Sequence, residues 1–271
     1  MTIGLPDFPV ETYSDMLPVD FEAPPVNPSG GGLYSSTYWT EIGGDQPSRH
    51  LNGVQIRPAG NCGGEGAFGV WGAPWCPVPE LDGDRKEGTR PGGLDPFSPM
   101  TVWAYDECDL TAPSRAEVQA RAVQIMRLQE QVAVEREFAA RLLADAADLP
   151  GPMQQADSFK LAVGYLEAQM ALTNTVGFFH AGAQWASQEF GLVIRSGTRW
   201  VSPLGHTWIF GGGYVDGLED TLVATSQPFG WRDQVQVRTA IDERRNTFAA
   251  IAERTVVVGY EAIVAAVEIT P

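Results

Sequence analysis

Few residues of this chain have the type and spacing to do chemistry, and each can be tested against what that chemistry needs. Gly211-Gly212-Gly213 is the kind of run that cradles a phosphate, because amides free of Cβ crowding can converge on an anion. Such a loop needs a helix N-terminus and a Lys-Ser/Thr pair directly behind it, and Tyr214-Val215-Asp216-Gly217 follows instead. Ser202, His206 and Asp216 are the three side-chain types of a nucleophilic triad. No Gly-x-Ser-x-Gly elbow presents the serine, however, and closeness in sequence carries little weight for a triad. Cys62 and Cys76 stand fourteen apart with Cys108 far downstream. No Cys-x-x-Cys pair preforms half a zinc tetrahedron, so these read as loop or core thiols. Of the three histidines, His50, His180 and His206, no two share a helix face. His180, behind Phe178-Phe179, reads as a packed or capping side chain, and Glu219-Asp220 as loop charges. The expectation is a protein with no cofactor, no metal and no catalytic constellation.

The elements around these residues fall into three zones. Residues 1–32 hold six prolines and five acids with no Lys or Arg, which forbids a helix and predicts an extended arm. Its apolar residues, including Phe8, Tyr13 and Phe21, are too many for a purely solvated tail, so the arm is expected to lie on its own body or on a neighbouring subunit, the alternative being a disordered acidic tail. Residues 33–112 mix short alternating stretches with Gly clusters. Gly53–Arg57 and Met100–Tyr105 read as strands flanking an excursion of about forty residues, a length that inside a domain is usually functional or disordered. Trp71, Trp75 and Lys86 lie on it. Aromatics on irregular backbone, eight Trp in all, fit protein–protein contacts better than a carbohydrate platform.

The second zone is one long helix. Ser114 and Glu117 form a capping box with Pro113 just ahead. Val118, Ala122, Ile125, Leu128, Val132, Ala139 and Leu142 keep an apolar stripe, and the pairs Glu117/Arg121 and Glu137/Arg141 stand four apart. Nothing breaks it before Pro150-Gly151-Pro152, giving roughly 50 Å of helix. The third zone is mixed: a helix from Ser158 to about Thr173, a short one over 181–190, then strands at 192–194, 207–210, 222–225, 234–239, 248–258 and 263–269. The fold class is α+β, without the strand–helix alternation of a doubly wound sheet.

Composition narrows the function classes. The 271 residues carry 34 Asp and Glu against 18 Lys and Arg, a net charge of -16, with 30 Gly and 20 Pro. That balance disfavours nucleic-acid binding and docking on an anionic membrane. No apolar run reaches the roughly 18 residues a membrane helix needs. The start of the chain lacks a signal-peptide pattern, and an odd number of cysteines fits a reducing compartment. A soluble, intracellular, acidic protein is expected.

Acidic arm, long excursion, long helix, mixed body and closing strands follow one another in an order that resembles the tailed-phage major capsid proteins of the Hong Kong-type fold, shared by encapsulin shells. The stretch Arg245–Val258, with Glu253-Arg254 before an apolar run, is similar to that family's late peripheral strand. Glu261–Val267 is similar to its last strand, and Gly197–Gly205 to an axial-domain segment. The resemblance implies an N-arm at 1–32, a strand plus E-loop at 33–112, a spine helix at 113–154, an axial domain at 155–232 and returning peripheral strands at 233–271. It implies a non-enzymatic subunit of an icosahedral shell in the virion, assembled in the host bacterial cytoplasm. Partners would be copies of itself in pentamers and hexamers, a separate scaffolding protein, a portal, a decoration protein, and packaged DNA that an acidic wall encloses without holding; no membrane is involved. Phe8, Tyr13, Phe21, Trp71, Trp75 and Lys86 become the candidate inter-subunit contacts. The family's cross-link joins an E-loop lysine to a peripheral asparagine; Lys86 and Asn246 lie in those zones, but no supporting carboxylate is identified and no cross-link is expected. The alternatives are an encapsulin-type shell, a phage tail or receptor-binding component, and an enzyme built around His180 and His206.

Overall fold

The computed structural model describes residues 21–43, 49–62, 67–72, 76, 86–90 and 92–270. Phe8, Tyr13 and Trp75 lie outside the described residues. A one-turn helix α1 (Leu33–Ser36) leads into strand β1 (Tyr38–Glu41). After the excursion come β2 (Met100–Asp109) and the long helix α2 (Ala112–Ala147). Next are β3 (Gln154–Ala156), α3 (Phe159–Thr173), β4 (Phe178–Gly182), β5 (Ile194–Ser196), β6 (Arg199–Val201) and β7 (Thr207–Gly211). The turn α4 (Tyr214–Gly217), then β8 (Thr221–Thr225), β9 (Phe229–Arg232), β10 (Gln236–Asp242), β11 (Thr247–Gly259) and β12 (Ile263–Ile269) close the chain.

Helix α2 is 36 residues long, about 54 Å. It begins two residues ahead of Ser114, so the expected Ser114/Glu117 box does not cap it. Thr111 is the extended N-cap, and Asp109 accepts from both its amide (2.8 Å) and its hydroxyl (2.7 Å). Pro113 fits the first turn, where its missing N–H has no helical partner to lose. The expected i,i+4 pairs are also replaced. Arg121 bonds Asp106 of β2 at 2.9 Å, and Arg141 bonds Asp145 at 2.7 Å. Arg121 thereby reaches another element, whereas Arg141 exchanges its expected partner for a different i,i+4 acid on the same helix. Helix α3 starts as expected at Ser158, whose hydroxyl accepts from the Leu161 amide, and ends at Asn174 in the left-handed region.

The described strands form two sheets. In the five-stranded one β11 is central: β2 pairs along one edge, while β10 (against 247–253) and β9 (against 256–259) share the other, with β1 parallel to β9 outside it. The seven-stranded sheet runs β3-β12-β8-β4-β7-β6-β5. Residues 233–271 are therefore divided: β10 and β11 enter the first sheet and β12 the second, where it pairs β8 and β3.

Two segments differ from expectation. The 181–190 stretch is the end of strand β4 plus a 3-10 turn over Ala183–Ser187. Its apolar residues serve a buried strand, and short apolar runs look alike in either conformation. Gly53–Arg57 is not a strand; Val54 makes a single bridge to Phe97 (Phe97 N–H to Val54 O, 2.8 Å). That bridge closes the base of the excursion.

Packing separates the sheets. The seven-stranded sheet is covered on both faces. Phe159, Val163, Leu166 and Met170 of α3 meet Phe179, Trp208, Leu222 and Ala224 on one side. Val134, Phe138 and Leu142 of α2 meet Phe178, Ile209 and Val223 on the other. Hence β4 and β8 are buried at every position. At its β2/β10 end the five-stranded sheet is covered on one face, by Val118, Ala122 and Met126 of α2 against Ala104, Phe248, Ala250 and Ala252, whereas at its β9 end the other face is covered too, His50 stacking on Trp231 beside the buried Val257. By alternation, its other face carries Trp103 and Tyr105 of β2 beside Ile251 of β11, all exposed.

Candidate functional site

The triple glycine is explained by α2. A Cβ on Gly213 would stand 2.2 Å from the Val132 carbonyl oxygen, and one on Gly211 2.9 Å from the Glu135 carboxylate. Glu135 is fully buried and accepts from the amides of Leu33 (2.8 Å) and Gly213 (2.9 Å). The loop does converge on an anion, but the anion is the protein's own carboxylate, and it clasps the entry of the body to the seven-stranded sheet. Burial pushes the Glu135 carboxyl above its ordinary range, against the opposing pull of these amide bonds.

One turn earlier, Glu130 forms a two-point ion pair with Arg254 of β11, both bonds 2.6 Å, and accepts from the Tyr34 hydroxyl at 2.6 Å. Both charged side chains are nearly enclosed. Burial, reinforced by the neighbouring Glu130 charge, pushes the Tyr34 phenol upward. The Glu253-Arg254 pair thus splits by strand alternation: Arg254 points to α2, while Glu253 points away and bonds Arg238 at 3.0 Å.

His180 is fully buried on β4. Its Nε2 lies 2.8 Å from the Thr225 hydroxyl and its Nδ1 3.0 Å from the Tyr214 hydroxyl. The Thr225 hydroxyl donates to the Ser226 carbonyl, so it accepts from Nε2–H, and Nδ1 accepts from Tyr214. The ring is neutral, burial lowering its pKa to about 3. Nothing is left over for proton transfer. His206 Nδ1 accepts from the Gly177 amide, Ser202 Oγ from the His206 amide, and Asp216 from Arg136. Ser202 thus meets His206 only through the backbone amide, while the His206 ring and Asp216 bond elsewhere, and the three form no triad. Cys62, Cys76 and Cys108 are free thiols. Among the described residues no group of three or more His, Cys, Asp or Glu could hold a metal, and no helix is long and apolar enough to cross a membrane.

The base of the excursion is gripped on both legs. On the returning leg, Arg141 donates to the carbonyls of Asp95 (2.7 Å) and Pro96 (3.1 Å) and lies 4.1 Å over the Phe97 ring. Phe97 packs edge-on against Tyr260, whose hydroxyl donates to Asp145. On the outgoing leg, Glu261 accepts from the amides of Ala59 (2.7 Å) and Asn61 (3.2 Å) and from the Asn61 side chain (2.6 Å). Slight burial pushes the Glu261 carboxyl up, but the Asn61 and Ala59 bonds outweigh it and hold the pKa below the ordinary value. Beyond these grips the described residues are exposed, Trp71 among them, with Lys86 5.3 Å above its ring. Phe21, the first described residue of the arm, is exposed as well. Asn246 occupies the β10–β11 turn with φ 55°.

Glu130, Glu135 and Arg254 were missed as organisers in the sequence reading. The signal was present: two acids inside the buried stripe of α2, where an isolated charge cannot remain without partners.

No family model matches the chain, and no curated protein sequence matches it. Solved structures do. The capsid chain of an empty GTA particle superposes with a TM-score of 0.53 at 9% identity, over 97% of this chain and 98% of that one. A chain of Microbacterium phage Oxtober96 gives 0.52 at 11%, over 96% and 99%. The mature capsid of bacteriophage PhiM1 gives 0.50 at 13%, over 94% and 91%. At such identities the likeness establishes the fold, and the α+β fold shared is the Hong Kong-type capsid fold.

Proposed function

We propose that this chain is the major capsid protein of a tailed bacteriophage, a structural subunit whose copies close into an icosahedral shell around the viral DNA. The observation that carries the reading is the extent of the likeness, which runs over more than nine-tenths of both chains in each comparison. On this reading α2 with the five-stranded sheet is the peripheral domain and α2 its spine. The seven-stranded sheet with α3 is the axial domain, residues 1–32 are the N-arm, and the excursion within 33–112 is the E-loop. Phe8, Tyr13, Phe21, Trp71, Trp75 and Lys86 are contacts between subunits. Copies of the chain in pentamers and hexamers are its main partners. A scaffolding protein, a portal and a decoration protein are separate chains, and assembly takes place in the host bacterial cytoplasm. An acidic subunit suits a container whose wall must not adhere to its nucleic acid.

Electron microscopy of the purified chain, alone and with a co-expressed scaffold, tests the proposal. Closed shells several hundred ångström across are expected, on the order of what symmetric closure of many subunits produces. Shells near 250 Å that enclose protein would favour the encapsulin-type alternative. A monodisperse monomer under every condition overturns the reading.

A further inference from the structure

The chain passes between the two sheets by α2 and by two short crossovers. Ser226-Gln227-Pro228 joins β8 to β9, and Tyr260-Glu261-Ala262 joins β11 to β12. These crossovers run side by side: Thr225 pairs Ile263 at one end, and Phe229 pairs Gly259 at the other. Between those pairs the Ser226 amide donates to the Ala262 carbonyl (2.9 Å). The Ser226 hydroxyl oxygen accepts from the amides of Glu261 (2.9 Å) and Ala262 (3.1 Å). One serine therefore binds both crossovers into a ribbon two strands wide. Two-stranded ribbons take a larger twist than broad sheets, and a few residues at the ends of elements can absorb a hinge movement.

Helix α2 decides which movement is open. Its C-terminal half is locked to the seven-stranded region, where a Cβ on Gly213 or Gly217 would collide with it. Its N-terminal half meets the five-stranded sheet largely through short side chains, Ala122 facing Ala104, Ala250 and Ala252. Such a seam interdigitates little and permits small sliding. The Glu130–Arg254 ion pair pins β11 to the middle of the helix. The movement left is a rocking of the five-stranded sheet on α2 about that pin, taken up at the ribbon.

The base of the excursion is mounted across this joint. Its returning leg is held by the helix, Arg141 donating to the carbonyls of Asp95 and Pro96. Its outgoing leg is held by the ribbon, Glu261 accepting from Ala59 and Asn61. The Phe97 ring packs on Tyr260 and leaves no room for a Cβ on Gly259, which would stand 2.5 Å away. Val54 and Phe97 bond each other, and none of these hydrogen bonds reaches a strand of either sheet. We propose that the excursion is geared to the angle between the two sheets. Rocking at the ribbon displaces Glu261 relative to Arg141, shifts one leg against the other and swings the excursion. The coupling is a property of one copy, so it holds or fails independently of the capsid reading.

Amide hydrogen exchange on the full chain tests the gearing. Ser226→Ala releases the crossovers from each other and is expected to speed exchange at Val54, Ala59, Asn61 and Phe97 by about tenfold or more. Ser202→Ala removes a buried hydroxyl that accepts from the His206 amide within the seven-stranded region, and should leave those four amides at the parent rate. Unchanged rates in Ser226→Ala, or equal rises in both variants, overturn the proposal. Glu261→Ala removes no buried group and separates the two mounts even if Ser226→Ala does not fold. Exchange should then rise at Ala59 and Asn61 and stay at the parent rate at Phe97; a rise at all three overturns the separate mounting and the gearing with it. In a chain with Cys62, Cys76 and Cys108 changed to Ser, spin labels at the exposed positions Leu172 and Ile241 report the angle between the sheets, and labels at Leu172 and Arg57 report the excursion. Both distance distributions should broaden together in Ser226→Ala. A change in one alone, or in neither, overturns the inference.

Discussion

The two sheets obey the same rules of strand pairing and reach opposite degrees of completion. The seven-stranded sheet has α3 on one face and the C-terminal half of α2 on the other, and even its one central histidine has both ring nitrogens bonded within the chain. The five-stranded sheet has α2 on one face; on the other, His50 stacks on Trp231 at the β9 end while the end formed by β2 and β10 lies exposed, with an exposed strand at its edge. Trp103 on that open face is 64% exposed. A single chain can therefore satisfy one region fully and leave the other to be finished from outside. The first region is complete within the chain; on the proposed reading the second is where copies of the chain meet.

Four perturbations would break or sharpen this contrast. The largest effect is expected at the seam of the two regions. Glu130→Leu strands the enclosed Arg254 guanidinium and should destabilise the chain by about 3–5 kcal/mol in urea unfolding. The double variant Glu130→Leu/Arg254→Met should recover much of that loss; a double variant as unstable as the single would mean that Tyr34, not charge pairing, holds the seam. Next, Gly213→Ala drives a Cβ to 2.2 Å from a backbone oxygen of α2, whereas at Gly212 the nearest atom is a Val132 methyl at 3.4 Å. The first should cost about 1–3 kcal/mol, and the second close to nothing; similar thermal shifts for both would refute the clasp.

Third, His180→Gln should cost about 1–2 kcal/mol at pH 7, through lost hydrogen bonds. The pH profile is more telling. The native ring stays neutral down to about pH 3 while the unfolded ring protonates near 6.5. The unfolded state then binds more protons, and stability falls as the solution is acidified from about pH 6.5 toward 3. Glu135 acts in the other direction: its raised pKa is a cost above the unfolded value that acid relieves. The histidine variant should therefore lose less stability than the parent over that acid range. A parallel fall in both would assign acid lability elsewhere. Smallest for the isolated chain is Trp103→Ser on the open face, expected to change unfolding by less than about 0.5 kcal/mol while weakening association in light scattering. A strongly destabilised monomer would show that the face is not open.

Much of this was readable before any coordinates. α3 and β12 follow from a capping serine and from sustained patterns, because long periodic segments declare themselves locally. Their strand-sized counterparts β1 and β9 did not. Phe229–Arg232 follows a Gln-Pro pair and contains Gly230, and it is a strand because Gly230 lets the Trp39 ring lie against its backbone between β1 and β11. Such strands exist through their partners, which no local window contains. The same holds for the site. Glu135 and the triple glycine are 76 to 78 residues apart, so the carboxylate that fills the loop could not be assigned to it from spacing, although the glycine half of the clasp was conspicuous. The division of 233–271 between two sheets is likewise a matter of pairing, since β11 and β12 carry similar apolar patterns.

Helix α2 gives the contrast a mechanical side. Its N-terminal half carries the open sheet and holds residues 26–31 by side chains spaced one turn apart; its C-terminal half is wedged against the completed sheet and grips the base of the excursion through Arg141. A rod of 36 residues without a proline past its first turn bends little over that span. On the proposed reading, tension applied to residues 26–31 or to the excursion by a neighbouring copy is delivered along one stiff beam, so the chain answers as a lever and not as two loosely joined halves.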